Sequence, residues 1–434
     1  MPVTLDPQAD AVPPQPSALF AKAAQALSRH GIWRFVRALI PTAASLAIQF
    51  AAFAITARGL GIEEFGRYAV ILGLAAIGLE LVGLGGADLL VRGVSRDRSQ
   101  AGPLFGQMLT LIALSLPVVT LLGWWIATAH LESSIAPSLI LVAIAGELLI
   151  GRIASSTELM MVAHGDTFLA ACVRFCTAFV RFLTAAIYFS LGKLLEGWIL
   201  AAFAQALLLS IIYVGLAAYR YGRPRFSLKF QHWRDGLAFS ANQTARASQS
   251  NLDRVILSKF ATDAVLGAYS AGSRFLQLGL FPLQVVTRIL YPNFFVHGEK
   301  GIGAARAYAV RCLPALLAAG IGGGLAVAVA GYFAPTILGQ EFAASRHFSM
   351  LLSLCMPFIA LQYLAADTLT GAGFQHIRAV VFGVAAIAFG LIMASGAALG
   401  GVNGVLAALI GAHAILAAIL WAIAWSIQDD KATI

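Results

Sequence analysis

The sequence predicts an all-α polytopic membrane protein, with about twelve transmembrane helices in two halves of six around a polar cavity. Three observations lead there. Of 434 residues, 59% are hydrophobic and only 11% charged, whereas a soluble domain carries about 25% charged residues. The apolar residues are gathered into repeated blocks, each long enough to cross a bilayer. The basic residues, which give a net charge of +9, sit between those blocks. That placement is a topology signal rather than a nucleic-acid-binding surface.

Residues 1–34 hold Pro13, Pro14 and Pro16 and then AKAAQALSRH, and are expected to form a cytoplasmic tail, disordered and then interfacial. They do not resemble a cleavable signal peptide, because the apolar pattern starts late and runs straight into a full span. The first half, 35–218, holds spans at 35–57, 67–91, 104–128, 137–161, 167–190 and 195–218. A basic linker at 219–235 follows, expected on the cytoplasmic side. The second half, 236–427, holds spans at 236–258, 265–293, 305–335, 343–366, 375–398 and 402–426, before a short tail at 428–434.

Loop charges support this count. With the amino terminus cytoplasmic, the inner segments carry Arg29, Arg34, Arg37, Arg92, Arg96 and Arg98, then Arg220, Arg223, Arg225, Lys229 and Arg234, then Lys300, Arg306 and Arg378. The outer loops carry only Arg58, Arg67, Lys193, Lys259 and Arg346. This is the positive-inside asymmetry. Removing the polar seventh span would invert every later loop, so that span crosses the membrane and both termini are expected in the cytoplasm. A faint parallel repeat links the halves: LGIEEFGRYAVILG after the first span and ATDAVLGAYSAGSR after the seventh share Gly-x-Tyr-small. The matched residues, Gly66, Tyr68 and Ala69 against Gly267, Tyr269 and Ser270, are offset by 201 positions.

Charges inside spans are costly, about 2.5–3.5 kcal/mol each at the bilayer centre on insertion scales, so they must face protein or water. In the seventh span Asn242, Arg246, Gln249 and Asp253 fall at helical spacing on one face, with Arg254 beside them. Arg174 and Arg181 do the same in the fifth span, Glu147 and Glu158 in the fourth. The eighth carries Arg274, Gln277, Gln284 and Arg288, with Pro282 as a kink site; the second has Glu80 and Asp88, the tenth Gln362 and Asp367. Arg174, Arg181, Arg246, Arg274, Asn242, Gln249 and Arg254 are therefore candidates for lining a cavity. Guanidinium binds phosphate oxygens bidentately and keeps its charge in low dielectric, so such a cavity expects a phosphate-bearing anion. Glu147, Glu158, Asp253, Asp367, Glu80 and Asp88 are candidates for ion coupling or for structural pairing; Arg254 could pair with a neighbouring acid and Arg288 could reach the interface.

No P-loop, H-E-x-x-H or G-x-S-x-G pattern occurs, and no outer loop is long enough for a catalytic domain, which disfavours a membrane glycosyltransferase or ligase. Cys172, Cys176, Cys312 and Cys355 lie in apolar stretches without a ligand set, so neither a metal nor another cofactor is expected. The reading is a transporter, not an enzyme.

At the level of motifs the chain resembles the polysaccharide-export flippases, within the superfamily that also holds multidrug and toxic-compound exporters. The resemblance runs over about 35–430 and rests on TARGLGIEEFGRYAV, LELVGLGGADLLVRGVSRD, NLDRVILSKFATDAVLGAYSAGSRF and LYPNFF. Leu60, Gly61, Phe65, Gly66, Tyr68, Arg92, Asp253, Arg254, Gly267, Tyr269 and Pro292 match the family's pattern. The acid that many members carry just before the Gly-Leu run is replaced by Leu81-Val82, with Glu80 one step earlier. The resemblance implies two six-helix bundles in a V, opening alternately to each side. It also implies a cargo of oligosaccharide on an isoprenoid diphosphate, moved from the inner to the outer leaflet of the cell inner membrane. Partners would be membrane lipids, glycosyltransferases and a polysaccharide polymerase. A cation-coupled multidrug or metabolite exporter of the same superfamily is the alternative; it would want acids and aromatics, not arginines, in its deep spans.

Overall fold

The computed structural model describes residues 29–130, 135–192, 194–226 and 233–428. The expected tail before residue 29, residues 131–134, Lys193, the 227–232 part of the linker and the end beyond 428 lie outside these residues, and the side chains of 29–43, 130 and 233–235 are likewise not described.

The helices are α1 (Arg29–Leu60), α2 (Ile62–Leu79), α3 (Gly86–Arg96), α4 (Ala101–His130), α5 (Pro137–Ala163), α6 (Thr167–Leu191) and α7 (Leu195–Tyr221) in the first half. The second half has α8 (Trp233–Leu257), α9 (Asp263–Gly298), α10 (Ile302–Tyr332), the short α11 (Ala334–Leu338), α12 (Ser345–Ser353), α13 (Cys355–Gly371) and α14 (Gln375–Ser426). The last is two spans joined at Gly400 and Gly401, whose backbone leaves the helical region. Among the described residues there are no strands. One core cluster is built almost wholly from α1–α7 and a second from α8–α14.

Among the described residues seven helices are long and apolar enough to cross a membrane by composition alone, the 52-residue α14 among them, and the Ala44–Leu60 part of α1 is a shorter apolar helix. The second, seventh and eighth spans fail that test. They fail because they sit between the halves: α2 packs on α8 and α9, so their polar faces meet protein and cavity rather than lipid.

Glycine sets the closeness of that contact. Gly66 abuts the Asp263 carbonyl and Gly267 abuts the Ile62 carbonyl, so the two copies of the repeat meet face to face about a pseudo-twofold axis. Arg67 Nε also donates to Asp263 Oδ2 at 2.7 Å and Nη1 to Glu64 at 2.8 Å. This ion pair is partly exposed, with Asp263 at 40% and Arg67 at 23%, and such pairs contribute about 0.2–1 kcal/mol. Arg67→Ala is accordingly expected to change the thermal midpoint of the detergent-solubilised protein only slightly; a large drop would contradict a backbone-dominated contact. The Phe50 and Phe275 rings, from α1 and α9, also meet across the halves, 5.4 Å apart.

The second span differs from the expected single helix. Its 18-residue α2 rises about 27 Å, nearly the roughly 30 Å of a hydrocarbon core. The chain then turns through Gly83, Leu84 and Gly85, all at positive φ (80°, 47° and 73°), before the amphipathic α3, which buries Ala87, Leu90 and Val94 and exposes Asp88. Gly85 touches the Gly236 backbone of α8 so closely that a β-carbon would overlap the carbonyl. Three side chains satisfy the broken backbone. Arg152 of α5 donates to the Leu79 carbonyl and, at 3.3 Å, to Glu80 Oε2. Ser240 of α8 donates to the Glu80 carbonyl at 2.5 Å. The Gly83 N–H donates to Ser115 Oγ of α4 at 2.7 Å.

Candidate functional site

The polar interior anticipated from the stripes is partitioned into two cavities, one in each half, separated where α2, α8 and α9 meet. The first, of about 420 Å³, lies among α1, α2, α5 and α6. The fourth- and fifth-span stripes face each other across it because α5 and α6 are antiparallel neighbours. Arg181 forks onto Glu147, Nη2 to Oε1 at 2.6 Å and Nη1 to Oε2 at 3.1 Å. The Tyr68 hydroxyl donates to the same carboxylate at 3.2 Å. Two turns toward the N-terminus of α6, Arg174 grips Glu158 Oε2 with Nη2 at 2.7 Å and Nε at 3.1 Å. Bidentate and charge-assisted bonds of this kind are the strong ones. They neutralise both N-half arginines. Arg274 reaches this cavity from the other half, on α9; its Nη1 donates to Gln277 at 3.1 Å. Among the described residues it has no carboxylate within the 4.0 Å of an ion pair.

The second cavity, of about 500 Å³, is lined by the whole polar stripe of α8: Asn242, Arg246, Gln249, Asp253 and Arg254. Gln249 Nε2 is tied to the Phe382 carbonyl at 3.1 Å. Asp253, 5% exposed, accepts from the Tyr269 hydroxyl at 2.5 Å and from the Arg254 N–H at 2.8 Å. The paired tyrosines of the repeat thus play one role with different acids: Tyr68 holds Glu147 from the fourth span, Tyr269 holds Asp253 from the seventh. Arg254 is only 2% exposed. Its Nη2 donates to Ser273 Oγ at 2.8 Å and Nη1 to Asn251 Oδ1 at 3.4 Å, while Nε has no partner. The neighbouring-acid pairing considered for Arg254 is not formed among the described residues; a serine and an asparagine take its place. Ser273 and Arg274, adjacent on α9, therefore face different cavities. Asp367, 5% exposed, lies 3.6 Å from Arg378 Nη1, which also donates to Thr370 Oγ1 at 2.8 Å.

Glu80 and Asp88 line neither cavity. Glu80 belongs to the α2–α3 turn, and Asp88 sits in the exposed first turn of α3. Sequence reasoning missed Arg152. The available signal was an arginine in an apolar span, off the Glu147–Glu158 stripe, with a Gly-rich break elsewhere needing a donor. It also treated Arg378 as a loop charge, although it lines the second cavity. The four cysteines are free, and among the described residues no three His, Cys, Asp or Glu side chains gather as metal ligands do.

The fold is shared with solved transporters. A structure described as the inward-facing conformation of a multidrug resistance MATE family transporter of the MOP superfamily superposes with a TM-score of 0.70 at 14% identity, covering 89% of this chain and 97% of that one. The MATE multidrug transporter DinF-BH gives 0.63 at 15% identity, with 91% and 95% covered. A MOP superfamily transporter from Pyrococcus furiosus, described as having a binding pocket of reverse polarity, gives 0.60 at 16% identity, with 90% and 94% covered. No curated protein sequence matches. Residues 38–296, more than half of the chain, match the family model described as polysaccharide biosynthesis protein. With a MOP-type multi-pass fold and arginine-rich cavities already in place, that match identifies the chain as a member of the polysaccharide biosynthesis protein family.

Proposed function

We propose that the protein flips an oligosaccharide linked to an isoprenoid diphosphate, undecaprenyl diphosphate in the bacterial case, from the cytoplasmic to the outer leaflet of the inner membrane by alternating access. It would supply O-antigen, capsule or exopolysaccharide assembly, with both termini in the cytoplasm and the halves at 35–218 and 236–427 acting as rocking units. One observation carries the reading. Both interior cavities hold more guanidinium than carboxylate: Arg174, Arg181 and Arg274 against Glu147 and Glu158 in one, Arg246, Arg254 and Arg378 against Asp253 and the adjoining Asp367 in the other. Arginine is the residue suited to replacing the water around a diphosphate in low dielectric. Arg254 and Arg274 have no carboxylate partner and stand at the wall between the two cavities, Arg254 bonded to the Ser273 that adjoins Arg274; they are the groups we assign to the diphosphate. The isoprenoid chain stays in lipid. A drug exporter for organic cations would want the opposite excess.

The decisive test is chemical identification of the lipid-linked glycan that accumulates on the cytoplasmic side when the gene is deleted; accumulation of none would refute the reading. Arg274→Ala and Arg254→Ala are expected to stop surface-glycan export while the protein stays inserted. Arg174→Ala and Arg181→Ala should do so too, but each orphans a glutamate. The pairs Arg181→Ala with Glu147→Gln, and Arg174→Ala with Glu158→Gln, separate a lost ligand from a lost ion pair. We assign ion coupling to the half-buried Glu147 and Glu158 and the buried Asp253 and Asp367. The amide variant of the coupling residue is expected to lose sensitivity to collapse of the ion gradient, and unchanged sensitivity in all four would remove the assignment.

A further inference from the structure

The two cavities differ in more than position. In the first, the charged groups from the N-half are paired with one another, Arg174 with Glu158 and Arg181 with Glu147. The second presents hydrogen-bonding groups that the protein leaves open. Asn242, Gln375, Tyr291 and Tyr363 line it, and among the described residues none of the first, second or fourth forms a side-chain hydrogen bond. Tyr291 likewise has only a ring contact, with Phe295. A carboxamide offers two donors and an acceptor, and a phenol offers one of each. Left open in a cavity of about 500 Å³, such groups need either water or a polyhydroxylated ligand, and Tyr291 and Tyr363 add ring faces with an apolar body and a polar tip.

The arginines of this cavity are also unequal. Arg378 is engaged by Asp367 and Thr370, and Arg254 by Ser273 and Asn251. Among the described residues that line the cavity, Arg246 is the one arginine whose guanidinium has neither a hydrogen bond nor an ion pair. It stands one helical turn from Asn242 on the same face of α8. A single open guanidinium beside amides and phenols matches a sugar that carries a carboxylate: the fork takes the carboxylate bidentately, and the neighbours take the hydroxyls.

Resting on the flippase reading, we propose that the second-half cavity is the glycan subsite and that Arg246 selects a carboxylate-bearing sugar there. The diphosphate is common to every lipid-linked cargo, so a residue that reads it cannot discriminate between glycans. A residue that reads a uronic acid must.

The test uses the purified full-length protein in proteoliposomes with two probes: undecaprenyl diphosphate bearing a short glycan that contains a uronic acid, and the same glycan with the neutral hexose. The wild-type protein is expected to flip the acidic probe faster. In Arg246→Gln the acidic-to-neutral rate ratio is expected to fall about tenfold, the equivalent of about 1.4 kcal/mol. Arg246→Lys, which keeps the charge without the fork, should retain part of the preference. Because Arg246 bonds to no other described side chain, the exchange removes no described contact. An unchanged ratio overturns the proposal, and so does equal loss of both probes down to inactivity, which would hand Arg246 to the diphosphate. If the wild-type protein moves neither probe, it is the flippase reading that fails.

Discussion

Alanine at Gly66 or Gly267 is expected to abolish transport while the protein remains inserted in the membrane. Each glycine faces a carbonyl of the opposite half, Asp263 for Gly66 and Ile62 for Gly267, and a β-carbon at either place would overlap that carbonyl. Backbone cannot swing aside as the end of a flexible side chain can, so the halves would have to part. The contact lies at the end of the bundle opposite the N-terminus. Forcing it open would expose the cavity on that side and disfavour the conformation seen here. Two readouts separate this from simple misfolding. The thermal midpoint in detergent should change little, since each half keeps its own core. A cysteine placed at Ala69 or Ser270 should gain reactivity toward a bulky impermeant thiol reagent in the alanine variants. Wild-type transport in both would show that the close approach has no role.

Arg152→Ala should produce the largest loss of stability. Arg152 is 8% exposed, and its guanidinium holds two groups at once: the Leu79 carbonyl that ends α2 and the Glu80 carboxylate. Its removal leaves an acceptor and a charge without a partner. Breaking a buried pair costs about 3–5 kcal/mol, and Glu80, whose side chain is 27% exposed, places the expected loss at the lower end. Its position also fits the negative end of the helix dipole. Both bonds come from Nη2, so Arg152→Lys keeps the charge on a shorter side chain and should fall between. Arg152→Ala with Glu80→Gln should recover part of the loss, which distinguishes the charge from the backbone bond. A melting curve of Arg152→Ala that overlays the wild type would refute this account of the turn.

Some of this was legible in the chain itself. The α8 stripe was readable because helical spacing alone puts Asn242, Arg246, Gln249 and Asp253 on one face, and burial in lipid is too costly for that face to point outward. The twelve crossings followed from block length and loop charge for the same local reasons. The weak Gly-x-Tyr repeat was visible as a pattern, but not as a contact. Nothing local says that Gly66 meets Asp263, some two hundred residues on.

What the sequence determined by itself is therefore the class, the crossings and the polar faces: consequences of hydropathy and helical period, which act within one segment. What only the tertiary structure decided is how the charges are shared. Arg181 and Arg174 are neutralised by Glu147 and Glu158, Arg254 rests on Ser273 and Asn251, Arg246 stays open, and Arg152 closes a broken helix. Each outcome depends on which helix packs beside which. Hydrogen bonds and close ion pairs form only at contact distance, and those distances are set between segments, not along them.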